Sequence, residues 1–231
     1  MHRRRSDFMF DRIIKLIGKE KLNLIKSKKV LLVGLGGVGG SCLESLIRSG
    51  IENIVIIDYD TIDISNLNRQ SITFNDIIGV YKVDAAYDFC KKINPNCNIK
   101  KYNIFLNEEN IASIFNNENV DYIVDACDSV KTKKALIIEA NKRKIKIISC
   151  MGTGNKLNPS LLNIVDISKT KNDPIARIIR KFCKDNKIKK LSVVSSTEIP
   201  IKKDKIISTM SFVPNTAGIL LANYIILDII K

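Results

Sequence analysis

The chain has 231 residues, 45% hydrophobic and 27% charged, with a formal net charge of +14. That length suits one substantial domain, and the balance is that of a soluble globular protein. A surface so basic attracts polyanions. Lys, Ile and Asn are overused along the whole chain, however, so the charge fits a nucleic-acid partner and a genome-wide bias alike.

The basic start, Met1-His2-Arg3-Arg4-Arg5, leads into no apolar run, so a signal peptide is not expected. Residues 1–28 read as an N-terminal helical arm, 29–150 as a nucleotide-binding core and 151–231 as a C-terminal extension of the same domain. Lys29 to Gly34 is a short apolar β run ending in a glycine loop. Gly37 to Ser49 places Val38, Cys42, Leu46 and Ile47 at helical spacing, closed by Gly50. Asn53 to Asp58 is a continuous apolar run, as in a central parallel strand. Val80 to Ile93 reads as a helix ending before Asn94-Pro95. Further β runs follow at 98–104, 120–125 and 144–150, separated by helical segments at 108–115 and 129–142. This alternation predicts an α/β, Rossmann-like doubly wound, mostly parallel sheet with its ligand at the carboxyl ends of the strands.

Past Cys150 the extension is predicted to add strands at 161–166 and 191–195, antiparallel to the rest. Between them Asp173 caps a helix that starts at Pro174. Its one face carries Ile175, Ile178, Ile179 and Phe182; the other carries Arg177, Arg180, Lys181 and Lys184. Such a basic face is either merely solvated or a grip on a phosphate backbone. A strand at 208–213 and a helix at 216–230 close the chain. That last apolar stretch is broken by Asn223 and Asp228 and reads as a buried helix, with no membrane association expected. A cytoplasmic protein follows.

The six cysteines (Cys42, Cys90, Cys97, Cys127, Cys150 and Cys183) include no CxxC pair, and read as buried small hydrophobes in a reducing compartment. The one histidine is His2, at the terminus. This removes Ser-His-Asp, Cys-His and His-metal mechanisms.

The chemistry is concentrated between residues 34 and 128. Gly34-Leu35-Gly36-Gly37-Val38-Gly39 follows a strand and opens a helix, the context in which such a loop has meaning. Gly34, Gly36 and Gly39 allow a tight turn and close backbone approach, and the helix start offers free N–H groups to phosphates. Asp58, in Asp58-Tyr59-Asp60, is placed to accept ribose hydroxyls. A dinucleotide-dependent oxidoreductase would present the same acid. It would not need what comes next: a polar loop of Asn66, Asn68, Arg69 and Gln70, then Lys82. Arg69 and Lys82 are candidates to meet the β- and γ-phosphates, where charge develops on a leaving pyrophosphate. Asp125 and Asp128, past the fourth strand, are candidates to hold a divalent ion on the triphosphate. The ordered set describes a site for ATP and for activation of a carboxylate.

The order and spacing of these motifs, with Ile93-Asn94-Pro95 and Asp125-Ala126-Cys127-Asp128, resemble the superfamily of adenylating enzymes that includes ubiquitin-activating enzymes and the activators of molybdopterin and thiamine synthesis. Asp60 is a further cofactor-binding candidate, and the resemblance implies nucleotide contacts at Gly37, Asp58, Ser65 to Arg69, Lys82 and Asp128. It also implies a homodimer in which Arg12 reaches the neighbouring subunit's site. The second half, Met151 to Pro159, Asp166 to Thr170, Asp173 to Arg177 and Ser211 to Pro214, is similar to the tRNA threonylcarbamoyladenosine dehydratases, although Ser208-Thr209-Met210-Ser211 departs from their commoner Gly-Ser form. That branch implies ATP with Mg²⁺, or a monovalent cation, and a tRNA anticodon arm as substrate. Its candidate phosphate contacts are Lys131, Lys133, Lys134, Arg177, Arg180, Lys181 and Lys184. Helper proteins are left unspecified. The alternative on the same fold is an activator of a small ubiquitin-like sulfur carrier, a branch that usually carries the CxxC pairs this chain lacks.

Overall fold

The computed structural model describes residues 8–201 and 207–231; the basic terminus with His2 lies outside the described residues. Two short helices lead in, α1 (Asp11–Ile17) and α2 (Lys19–Ser27). The core then alternates: β1 (Lys29–Val33), α3 (Gly37–Arg48), β2 (Asn53–Asp58), α4 (Lys82–Ile93), β3 (Asn98–Asn103), α5 (Ile111–Asn117), β4 (Tyr122–Asp125), α6 (Val130–Arg143) and β5 (Lys146–Cys150). The rest comprises β6 (Leu162–Asp166), α7 (Pro174–Asp185), β7 (Ser192–Ser196) and α8 (Phe212–Ile229).

One seven-stranded sheet runs in the order β3-β2-β1-β4-β5-β7-β6. Its order reverses between β1 and β4, which makes a switch point where the outgoing loops part. Of the two strands from the extension, β7 joins β5 in parallel and only β6, at the edge, is antiparallel. Strand alternation sends residues to both faces. Leu31, Val33, Val55, Ile57 and Ile123 pack with α5 and α6, whereas Val30, Leu32, Ile54, Ile56 and Val124 pack with α3, α4 and α8. Burial on both sides is why these strands read as unbroken apolar runs.

Helix α8 is long and apolar enough to cross a bilayer by length and composition alone. Here Ala217, Leu221, Ala222 and Ile225 are buried in the core beside α3. A Cβ at Gly218 would lie 2.2 Å from the Val38 carbonyl oxygen, so the two helices meet backbone to backbone.

Three local expectations are corrected. Residues 208–213 form no strand. The Ser208 N–H and C=O bond to Asn155, the Thr209 C=O accepts from Asn68, and α8 starts at Phe212 with Pro214 in its first turn. Lys144 does not begin β5; it closes α6 in the left-handed conformation, at φ 57°. On α7, Ile178 faces solvent, and Ala176, Ile179 and Cys183 form the buried stripe.

Candidate active site

Register brings three strand ends to one level. Val33 pairs with Ile57 on one side and Asp125 on the other. The loops leaving β1, β2, β4 and β5 border a cleft of ≈ 750 Å³.

The glycine loop forms its floor. Gly34 has φ +91°, and a Cβ there would meet the Ala126 backbone at 2.8 Å; a Cβ at Gly39 would lie 1.8 Å from the Gly34 oxygen. Those two glycines are required by the chain's own packing. Gly36 differs, because a Cβ there would have only the Gln70 amide, 4.0 Å away. Its open side is left for something other than protein.

Beside the loop, Asp58 accepts the Leu35 N–H at 2.6 Å and the Asp60 N–H at 2.9 Å. Burial pushes its carboxyl above the usual carboxylate range, opposed by those N–H groups and by Lys82. A carboxylate has about four acceptor sites, so it keeps capacity for hydroxyls. Lys82, at the start of α4, is 5% exposed and donates to Asp60 at 2.7 Å. Asn66 is held in a reciprocal cap with Asp63. Arg69 donates to the Ser65 carbonyl at 2.6 Å and to the Asn68 side chain at 2.9 Å. The Gln70 Oε1 atom is buried with no partner among the described residues. Asn215, its amide oriented to donate, reaches the Arg69 and Gly37 carbonyls at 2.8 and 3.0 Å, so the first turn of α8 braces the loop from beneath.

Gly34, Gly36, Gly37, Asp58, Asp60, Asn66, Arg69, Gln70, Lys82 and Asp128 thus line one cleft. Gly39 packs against the Gly34 backbone, and Asn68 accepts from Arg69 and donates to the Thr209 carbonyl. Two candidates stand elsewhere. Arg12 lies on the exposed side of α1 and does not line this chain's own cleft. Asp125 is corrected as a metal ligand: it is fully buried, and both its oxygens accept from Lys133, at 3.0 and 3.1 Å. Lys133 also donates to the Cys150 carbonyl at 2.8 Å, so this lysine ties α6 to β4 and β5 and is corrected as a surface phosphate contact. Burial pushes its amine down, and Asp125 more than offsets this. Among the described residues no cluster of three or more His, Cys, Asp or Glu could hold a metal ion.

Other cleft residues were not anticipated. Tyr59 and Phe105 meet edge to face, 5.0 Å between ring centres, and with Ile57 and Leu106 make an apolar wall. Tyr59 sits inside a motif read for its acids, and Phe105 gave no signal at all. Cys127 lines the cleft, but burial and Asp125 push its thiol well above the usual value. It is no ready thiolate. Lys156 and Asp173, from the loop after β5 and the cap of α7, complete the far side.

The ThiF family model matches residues 10–226. The chain belongs to the ThiF family. Among relatives of this ThiF-family chain, the tRNA threonylcarbamoyladenosine dehydratase of Bacillus subtilis is 36% identical over 234 residues, 93% of this chain and 92% of the relative. The Escherichia coli enzyme of the same name is 31% identical over 205 residues, covering 88% and 75%. The molybdopterin-synthase adenylyltransferase of Haemophilus influenzae is 36% identical over only 132 residues, 57% of this chain and 52% of the relative. In three dimensions the ThiF-family chain superimposes on E. coli tRNA N6-threonylcarbamoyladenosine dehydratase in complex with AMP at a TM-score of 0.91, with 28% identity over 96% of this chain and 94% of the other. The same enzyme in complex with ATP gives 0.90.

Proposed function

We propose that this chain uses ATP to dehydrate N6-threonylcarbamoyladenosine in tRNA, closing a ring on the modified base. The observation that carries the reading is the extent of the likeness: the dehydratase relative is matched across 93% of this chain, and the dehydratase structure superimposes over 96% of it. The molybdopterin-synthase adenylyltransferase, which stands for the sulfur-carrier alternative, is matched across only 57% of this chain.

The chemistry follows from what the cleft holds. A free carboxylate is a poor electrophile. One of its oxygens bonds to the α-phosphorus of ATP, the bond from that phosphorus to the β-bridging oxygen breaks, and pyrophosphate leaves. Arg69 and Lys82 supply the fixed positive charge that stabilises the leaving group. Asp58 receives the ribose, and the Tyr59–Phe105 wall suits a purine face. The neighbouring carbamoyl group then attacks the acyl carbon, expels AMP and loses a proton, for a net loss of water. Tethering makes that closure unimolecular, an advantage of roughly 7–11 kcal/mol at best. No nucleophilic side chain is called for, in keeping with the raised Cys127 thiol.

A Mg²⁺ ion on a triphosphate takes one or two carboxylates besides phosphate oxygens. Asp128, in the cleft, fits that role and the Lys133-bound Asp125 does not; the ion would add charge neutralisation at the phosphates. The substrate is read as the anticodon arm of tRNA, met by Arg177, Lys181 and Lys184 on the exposed side of α7 and by Lys131 beside it. The working unit is read as a cytoplasmic homodimer with Arg12 supplied across the interface.

The test is nucleoside mass analysis of threonylcarbamoyl-modified tRNA after incubation with the protein and ATP. Loss of one water, with release of AMP and pyrophosphate, is expected. ATP–pyrophosphate exchange stimulated only by a small protein ending in Gly-Gly would instead establish the sulfur-carrier activity.

A further inference from the structure

The cleft contains a buried cation to which the nucleotide chemistry assigns no role. Arg69 and Lys82 come from the β2 side of the switch point; Lys156 comes from the loop after β5, beyond β4. It lines the same cleft while only 2% exposed. Its Nζ donates to the Gly152 carbonyl at 2.8 Å and stands 3.8 Å from Asp173 Oδ2, outside hydrogen-bond range. Asp173 is otherwise committed, since one oxygen accepts the Gly152 N–H at 2.8 Å and the other caps α7 through the Ala176 N–H at 2.9 Å.

A buried ammonium is costly unless a carboxylate meets it in full contact. Burial accordingly pushes the Lys156 amine below the usual lysine value, with Asp173 pulling the other way. A strut for the loop would need no charge. An incoming carboxylate at this position would complete the ion pair that Asp173 leaves half made.

We propose that Lys156 binds the carboxylate of the substrate and presents it to the nucleotide from the β5 side of the cleft. This rests on the dehydratase reading, in which that carboxylate is the threonyl group of the modified adenosine. Lys156 keeps its proton throughout: it holds one carboxylate oxygen while the other bonds to the α-phosphorus and pyrophosphate departs. The group is therefore needed for adenylation and not for ring closure or ATP binding.

The experiment compares Lys156→Met and Lys156→Arg with the wild type in ATP affinity, melting temperature, pyrophosphate release dependent on modified tRNA, and cyclic product. Lys156→Met should bind ATP and melt as the wild type does, because Asp173 keeps both backbone donors. Its pyrophosphate release should fall about 100-fold in kcat/KM, and Lys156→Arg should recover part of that loss. If the methionine variant does not fold, Lys156→Gln, which keeps a donor for the Gly152 carbonyl, carries the same expectation. Pyrophosphate release within a few-fold of wild type overturns the proposal. So does normal release with failed ring closure, or a matching loss of ATP affinity. A wild-type protein that binds ATP yet leaves the modified tRNA unchanged overturns the dehydratase reading itself, a distinct result.

Discussion

Two glycines three residues apart in the loop do different jobs. Gly39 has no room for a methyl group, whereas Gly36 has room that the protein does not use. Gly39→Ala should therefore fail to yield folded protein, as overpacking against rigid backbone demands. Gly36→Ala should fold with an unchanged melting temperature and bind ATP at least about 10-fold more weakly, a loss of about 1.4 kcal/mol. The yield of folded Gly39→Ala protein and calorimetric titration of Gly36→Ala with ATP check this. The Lys133–Asp125 pair behaves oppositely, as structure beneath the site. Lys133→Met leaves Asp125 buried without its cation, and urea unfolding should show a loss of about 3–5 kcal/mol. The added change Asp125→Leu should return much of it.

At the scale of elements, Glu118 joins three. It follows α5, accepts from Lys29 of β1 at 2.6 Å and from Tyr102 of β3 at 2.5 Å, and pairs with Lys100 of β3. Burial pushes its carboxyl up, but the bonds from Lys100, Lys29 and Tyr102 more than offset this and hold it at about 2, against an ordinary 4.5. A lowered carboxylate contributes stability in full above its unfolded value and loses it as pH falls. The contribution is on the order of 3 kcal/mol at neutral pH. The stability gap between wild type and Glu118→Gln should thus be constant above about pH 5 and shrink from pH 4.5 towards 2. A gap independent of pH would remove Glu118 as its source. Helix α8 shows a second linkage. Its apolar length resembles a membrane span, but Gly218 seats it against α3 and Asn215 carries that contact up to Gly37 and Arg69.

For the molecule as a whole, the proposed sharing of the site between subunits is testable because Arg12 does not line the cleft of its own chain. On the proposed homodimer, Arg12→Ala and Lys82→Ala proteins should each lose at least about 100-fold in turnover. Mixed and exchanged, they should regain roughly a quarter of wild-type activity, since statistical pairing gives half heterodimers with one intact site each. No gain on mixing would refute a site shared between subunits.

The parallel sheet was legible because buried strands and helices write their burial into the sequence: β2 is an unbroken apolar run, and α7 announces itself through Asp173 and Pro174. The nucleotide loops were legible for a related reason. Gly34 and Asp58 stand at strand ends, Arg69 and Lys82 follow in the connection leaving β2, and a parallel sheet puts all its carboxyl ends on one side. What the sequence could not decide was which of two similar charges faces the cleft. Asp125 and Asp128 lie three residues apart, yet one is consumed by Lys133 from the following helix. Lys133 and Lys131 lie two apart, yet one is core and the other solvent. Lys156 was legible only as a member of the Met151–Pro159 motif; its burial beside Asp173, the cap of α7, came from the packing. Periodicity records which side of an element is buried; only the packing of one element on another determines whether a buried charge already has its partner.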